Sequence, residues 1–125
     1  PKKLILSFIY LMRGVVIALF IFLPPSPTLA VLFGITFGFL WLATVPPTAG
    51  IVGSIFGTKY MGLLYGIVFL SHQVGSFFGA YLGGVFKEVY GSYDYAWYVS
   101  IALSIFAGLI HLPINENQVK RLQLV

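Results

Sequence analysis

Few side chains in this sequence can do chemistry, and they interrupt long apolar runs. His72 lies in the run from Met61 to Phe86, about 17 Å of helical rise beyond Met61. Ser76 follows it by four residues and Tyr65 precedes it by seven, spacings that place all three on one helical face. An ionisable group at that depth is a functional candidate, as a hydrogen-bond donor to a solute or as a proton carrier. The competing reading is a neutral imidazole bonded to a neighbouring helix. Gln73 points about 100° away on the same helix and is the weaker candidate.

Trp41, Thr44 and Thr48 share a face of the preceding run, continuing a line from Gly34 and Gly38. They read either as a cavity wall, with a flat apolar surface and hydroxyls for hydrogen bonding, or as packing between helices. Arg13 is about 14 Å of rise into the first run, measured from Leu4, too deep to snorkel easily. It must face protein. Structural pairing with a missing helix or with carbonyls is favoured over service as an anion ligand. His111 and Lys59 read as residues of the membrane interface. The only acids, Glu88, Asp94 and Glu116, fall in loops or the tail, and no Ser-His-acid or His-Glu-x-x-His pattern is present. Enzyme chemistry is therefore not expected, and no cofactor or metal is implied.

The elements that position these residues follow from composition. Of 125 residues 59% are hydrophobic and 8% charged, and Lys59 is the sole charge from Gly14 through Phe86. With a mean hydropathy of +0.98, this pattern excludes a water-soluble domain. The net charge of +4 sits singly or in pairs at the ends of apolar runs, so it forms no face for nucleic acid. The absence of Cys removes thiolate sites and disulfides. Leu4 to Leu23 is long for a signal-peptide core and is interrupted by Arg13, and LPPSPTLA is a poor cleavage site. A chain opening on Pro reads as the tail of something longer.

Four apolar runs are predicted as membrane helices, over about 4–23, 28–56, 61–86 and 95–114, each near or above the roughly 20 residues that cross the hydrocarbon. Pro24, Pro25 and Pro27 end the first run. Pro46 and Pro47 fall inside the second, where they predict a kink or hinge. Gly75, Gly79 and Gly83 recur every four residues and predict a strip for close helix packing, as do Gly34 and Gly38. A phosphate-binding Gly loop would need a strand before it, and none is predicted. Four crossings put both termini on one side. Lys2, Lys3, Lys59, Lys120 and Arg121 then share that side, which the positive-inside rule makes cytoplasmic. Tyr90, Tyr93, Tyr95, Trp97 and Tyr98 gather at the outer headgroup level.

A Trp and a Pro-rich break on one helix, then GTKYMG, then a Gly-spaced helix and a loop with GSYDYAW, together resemble the last four helices of a major facilitator superfamily transporter. Within it the chain looks most similar to the group of monocarboxylate transporters and oxalate/formate antiporters. The resemblance covers essentially the whole chain. It implies an all-α membrane protein in which these four helices form part of the C-terminal half of a twelve-helix fold, with solute held between the halves at mid-membrane. It also implies that the second and third runs border the cavity, while the first and last mostly lie outside and support them. Where oxalate-transporting members carry a Lys, this sequence has His72, which departs from the pattern for a carboxylate site.

The expected partners are a small organic solute, the lipid bilayer and the remaining helices of a longer chain. The expected location is the cell (inner) membrane. One rival is a complete four-helix exporter that dimerises, but such exporters use a membrane-embedded carboxylate that these runs lack. The other is a non-transporting assembly subunit whose glycines serve only packing.

Overall fold

The computed structural model describes residues 1–119. Among them five α-helices follow one another: α1 (Lys2–Phe22), α2 (Pro27–Leu42), α3 (Val45–Phe56), α4 (Met61–Tyr90) and α5 (Asp94–Ile110). The first run ends as expected, with Leu23 already extended ahead of Pro24 and Pro25. Ser26 then caps α2, its Oγ accepting the Leu29 N–H at 3.1 Å, with Pro27 in the first turn where a missing donor costs nothing.

The long second run is broken into two helices. Pro46 has no N–H for the Leu42 carbonyl, and Pro47 has none for that of Ala43, so α2 stops and α3 starts afresh after Ala43 and Thr44. Lys2–Phe22, Pro27–Phe56 and Met61–Tyr90 are each long and apolar enough to cross a bilayer, whereas α5 has 17 residues. It ends at Ile110 rather than near Ile114, because Pro113 cannot bond the Leu109 carbonyl and disfavours helix at Leu112. Its 17 residues still rise about 26 Å, close to the hydrocarbon thickness. Gly91, at φ 71°, closes α4 in the left-handed conformation that favours glycine.

α1 is the axis of the bundle. Leu6, Ile9 and Ile17 of α1 and Ile51 and Val52 of α3 form its buried apolar core. The tightest seam joins α1 to α5. A Cβ placed on Gly108 would lie 2.7 Å from Leu11 Cγ and 3.2 Å from the Ser7 carbonyl oxygen, and one on Gly14 would lie 3.3 Å from Ser104 Cβ. Inside this seam the Ser7 hydroxyl donates to the Gly108 carbonyl at 2.7 Å. The glycines of this seam are therefore Gly14 and Gly108, and among the described residues Gly50 of α3 is also covered closely, by the Lys2 side chain 2.8 Å from a Cβ placed there. A Cβ on Gly34, Gly38, Gly75, Gly79 or Gly83 would meet nothing within 4 Å among the described residues. The expected packing strips thus face no helix described here, and neither α2 nor α4 has a buried residue.

One end of the bundle is tied across sequence. Lys2 Nζ donates to Ser54 Oγ at 2.6 Å, the Lys3 N–H to Glu116 Oε1 at 2.6 Å, Lys3 Nζ to the Leu112 carbonyl at 3.0 Å, and the Val119 N–H to the Ile55 carbonyl at 2.9 Å. The start of α1, the end of α3 and the segment after α5 thus meet. Lys120 and Arg121 lie outside the described residues. At the opposite end Tyr90 and Tyr95 are 4.4 Å apart and Lys87 lies over the Tyr93 ring. Trp97 instead turns inward, against Phe20 and Phe33.

Two outcomes are expected. Gly108→Ala should destabilise the helix pair by about 1–3 kcal/mol through overpacking, read as a lower unfolding midpoint in detergent. The Lys3 N–H holds the Glu116 carboxyl below the ordinary carboxylate range. Folding favours its charged form, so the tie is complete at neutral pH and is lost as pH falls through that lowered value. The Lys3 amide should lose its protection, measured against the intrinsic exchange rate at each pH, on acidification, and in Glu116→Ala it should be unprotected at neutral pH as well.

Candidate functional site

The middle of α1 presents Tyr10 and Arg13, three residues apart and so on one face. The Arg13 guanidinium carbon lies 4.8 Å from the centroid of the Trp41 ring, 5.1 Å from Phe37 and 5.5 Å from Tyr10. Each such contact stabilises a cation by about 0.5–2 kcal/mol, the higher figure applying where water is excluded. Ring faces satisfy charge but accept no N–H in good geometry, and Arg13 Nε is buried with no hydrogen-bond partner among the described residues.

On the α4 side His72 stands 5.6 Å, edge to face, from Trp41 and 6.0 Å from Phe69. Trp41 therefore lies against both the guanidinium and the imidazole. Together they border a cavity of about 330 Å³ that Thr44, Thr48, Tyr65 and Ser71 also line. That volume falls within the range of sites for small organic molecules. It opens on a wider groove of about 580 Å³, which shares Tyr10, Arg13, Trp41 and His72 and adds Gly75, Ser76, Gly79 and Trp97.

The broken helix sets the hydroxyl chemistry of the wall. Thr44 Oγ1 donates to the Trp41 carbonyl at 2.8 Å and Thr48 Oγ1 to the Thr44 carbonyl at 2.7 Å. On α4 the Ser71 hydroxyl donates to the Val68 carbonyl at 2.7 Å and that of Ser76 to the His72 carbonyl at 3.0 Å. With their protons committed to backbone, these hydroxyls offer the cavity lone pairs alone. Donors to a solute must come from Arg13, His72 and the phenols of Tyr10 and Tyr65.

Trp41, Thr44, Thr48, Tyr65 and His72, singled out from sequence, thus lie around one cavity, while Ser76 lies in the adjoining groove. Gln73, Gly34, Gly38 and Gly83 border neither. The first helix, expected to lie mostly outside, brings its Tyr10 to Arg13 turn to both spaces. Arg13, expected to pair with a missing helix or with carbonyls, has the rings of Tyr10, Phe37 and Trp41 as neighbours among the described residues. Tyr10, Phe37 and Phe69 were not anticipated, although Tyr10 precedes Arg13 by three residues, Phe37 precedes Trp41 by four and Phe69 precedes His72 by three. His111, expected at the interface, caps α5 and stacks on Tyr10 at 5.1 Å.

Apolar helices of membrane length, with a partly open and mainly apolar cavity of about 330 Å³ between them, define a polytopic α-helical membrane protein. The family model of the Major Facilitator Superfamily matches residues 1–123, and the chain belongs to that superfamily of secondary transporters. Comparison with curated proteins and with solved structures gave no match. The superfamily moves solutes across membranes and is not enzymatic.

Restoring the two missing donors tests the origin of the break. Pro46→Ala with Pro47→Ala should let α2 and α3 run as one helix, lengthening the distance between spin labels at Leu32 and Phe56.

Proposed function

We propose that the chain forms the last four helices of a two-lobed carrier that moves a small organic solute, a mono- or dicarboxylate, by alternating access. The observation that carries this reading is the cavity in which Trp41, Thr44, Thr48, Tyr65 and His72 converge from three helices. Trp41 supplies a flat surface, His72 and Tyr65 donate hydrogen bonds, Thr44 and Thr48 present lone pairs, and Ser76 extends the site into the adjoining groove. Pro46 and Pro47 supply the weak point at which the cavity wall bends as the lobes rock. The uncovered glycines of α2 and α4 are surfaces for helices supplied by the rest of the carrier.

The protein resides in the inner membrane with both ends of this segment cytoplasmic. The meeting of Lys3 with Glu116 supports a common side for the two ends, and the lysines at that end support the cytoplasmic assignment.

His72→Ala in the full-length protein should lower solute uptake about tenfold, the weight of one strong hydrogen bond, and should alter its pH profile. Uptake measured at several pH values checks this, and an unchanged rate and profile would remove His72 from the site.

A further inference from the structure

The sequence places no acid before Glu88 and only Lys59 between Arg13 and Lys87, so nothing in α1 to the middle of α4 balances the Arg13 charge. A guanidinium at membrane depth without a counter-charge is costly, and such groups mark ligand or ion paths. The rings of Tyr10, Phe37 and Trp41 hold it in place at 4.8 to 5.5 Å but leave Nε, though buried, without an acceptor. The hydroxyls of Thr44, Thr48 and Ser71 turn lone pairs toward the cavity, which disfavours a second negative group there. Most of the remaining wall is apolar, with Trp41, Phe69, Val45 and Val68 on it.

We infer that Arg13 binds the anionic group of a solute bearing one negative charge and a ring-sized apolar body that lies on Trp41. This rests on the transport reading above and narrows it, since Arg13 is the one fixed cation among the described residues of this wall and balances one negative charge, leaving the second charge of a dianion uncompensated. Arginine supplies paired N–H donors matched to a carboxylate, and binding would set a counter-charge beside the guanidinium.

Fluorescence titration of purified full-length protein tests this with three probes of one shape: benzoate, its neutral amide benzamide, and the dianion phthalate. Benzoate should bind at least about tenfold more tightly than either of the others, as expected for a charge-assisted hydrogen bond. Arg13→Gln should erase that preference and Arg13→Lys should retain part of it. If Arg13→Gln does not fold, the probe ranking with the unaltered protein still decides. Equal binding of benzamide or phthalate, benzoate binding indifferent to Arg13→Gln, or no benzoate binding would each overturn the inference. Uptake into proteoliposomes separates the two readings. Arg13-dependent benzoate binding without flux defeats the transport reading alone, and flux of benzamide with benzoate ignored defeats the inference alone.

Discussion

A positive charge held at mid-bilayer depth is the constraint around which this bundle is arranged. Arg13 cannot reach water easily, and the acids of the described chain all lie beyond Phe86, so the structure surrounds it with ring faces contributed by α1 itself and by α2. Those rings must come close from a second helix, which fixes how α2 lies on α1. The Phe33, Phe37 and Trp41 series, stacked or tilted on successive turns, extends that contact along α2. On the other flank, Gly14 and Gly108 draw α1 and α5 together until Ser7 bonds across the seam. A charged helix is thus central to the bundle, held by small residues on one side and aromatic ones on the other.

The polar groups divide into those that serve the backbone and those that remain available. Two prolines in succession remove two donors, and nearby the hydroxyls of Thr44 and Thr48 bond main-chain carbonyls of the same stretch. Ser71 and Ser76 bond their own helix likewise. A wall that looks rich in donors from its composition is therefore a wall of acceptors. The donors left facing the cavity are those of Arg13, His72 and two tyrosines, and the rest of its wall is mainly apolar.

Much of this was legible in the residues. Apolar runs of membrane length, the proline pair and the depth of His72 gave the helices, the break and part of the cavity lining, because span length and backbone donors are local properties. What lay hidden was relational. α1 is apolar almost all round, so no pattern tells which face meets α5 and which meets Trp41, and the inward turn of Tyr10 and Arg13 went unseen. The glycine series Gly75, Gly79 and Gly83 is conspicuous by spacing, yet the seam uses the isolated Gly14 and Gly108, since close approach depends on the partner surface. Trp97 looked like a headgroup residue by position and packs inward because Phe20 and Phe33 offer it a face.

The ties among Lys2, Ser54, Lys3, Glu116, Ile55 and Val119 gather α1, α3 and the segment after α5 at a single end. Rods pinned together at one tip can separate only like the ribs of a fan, by spreading at the far tip. α4 contributes to none of these ties. In a structure built this way α1 and α3 keep their spacing near the knot, while α2 and α4, which none of these ties reaches, are positioned by their loops and by side-chain packing.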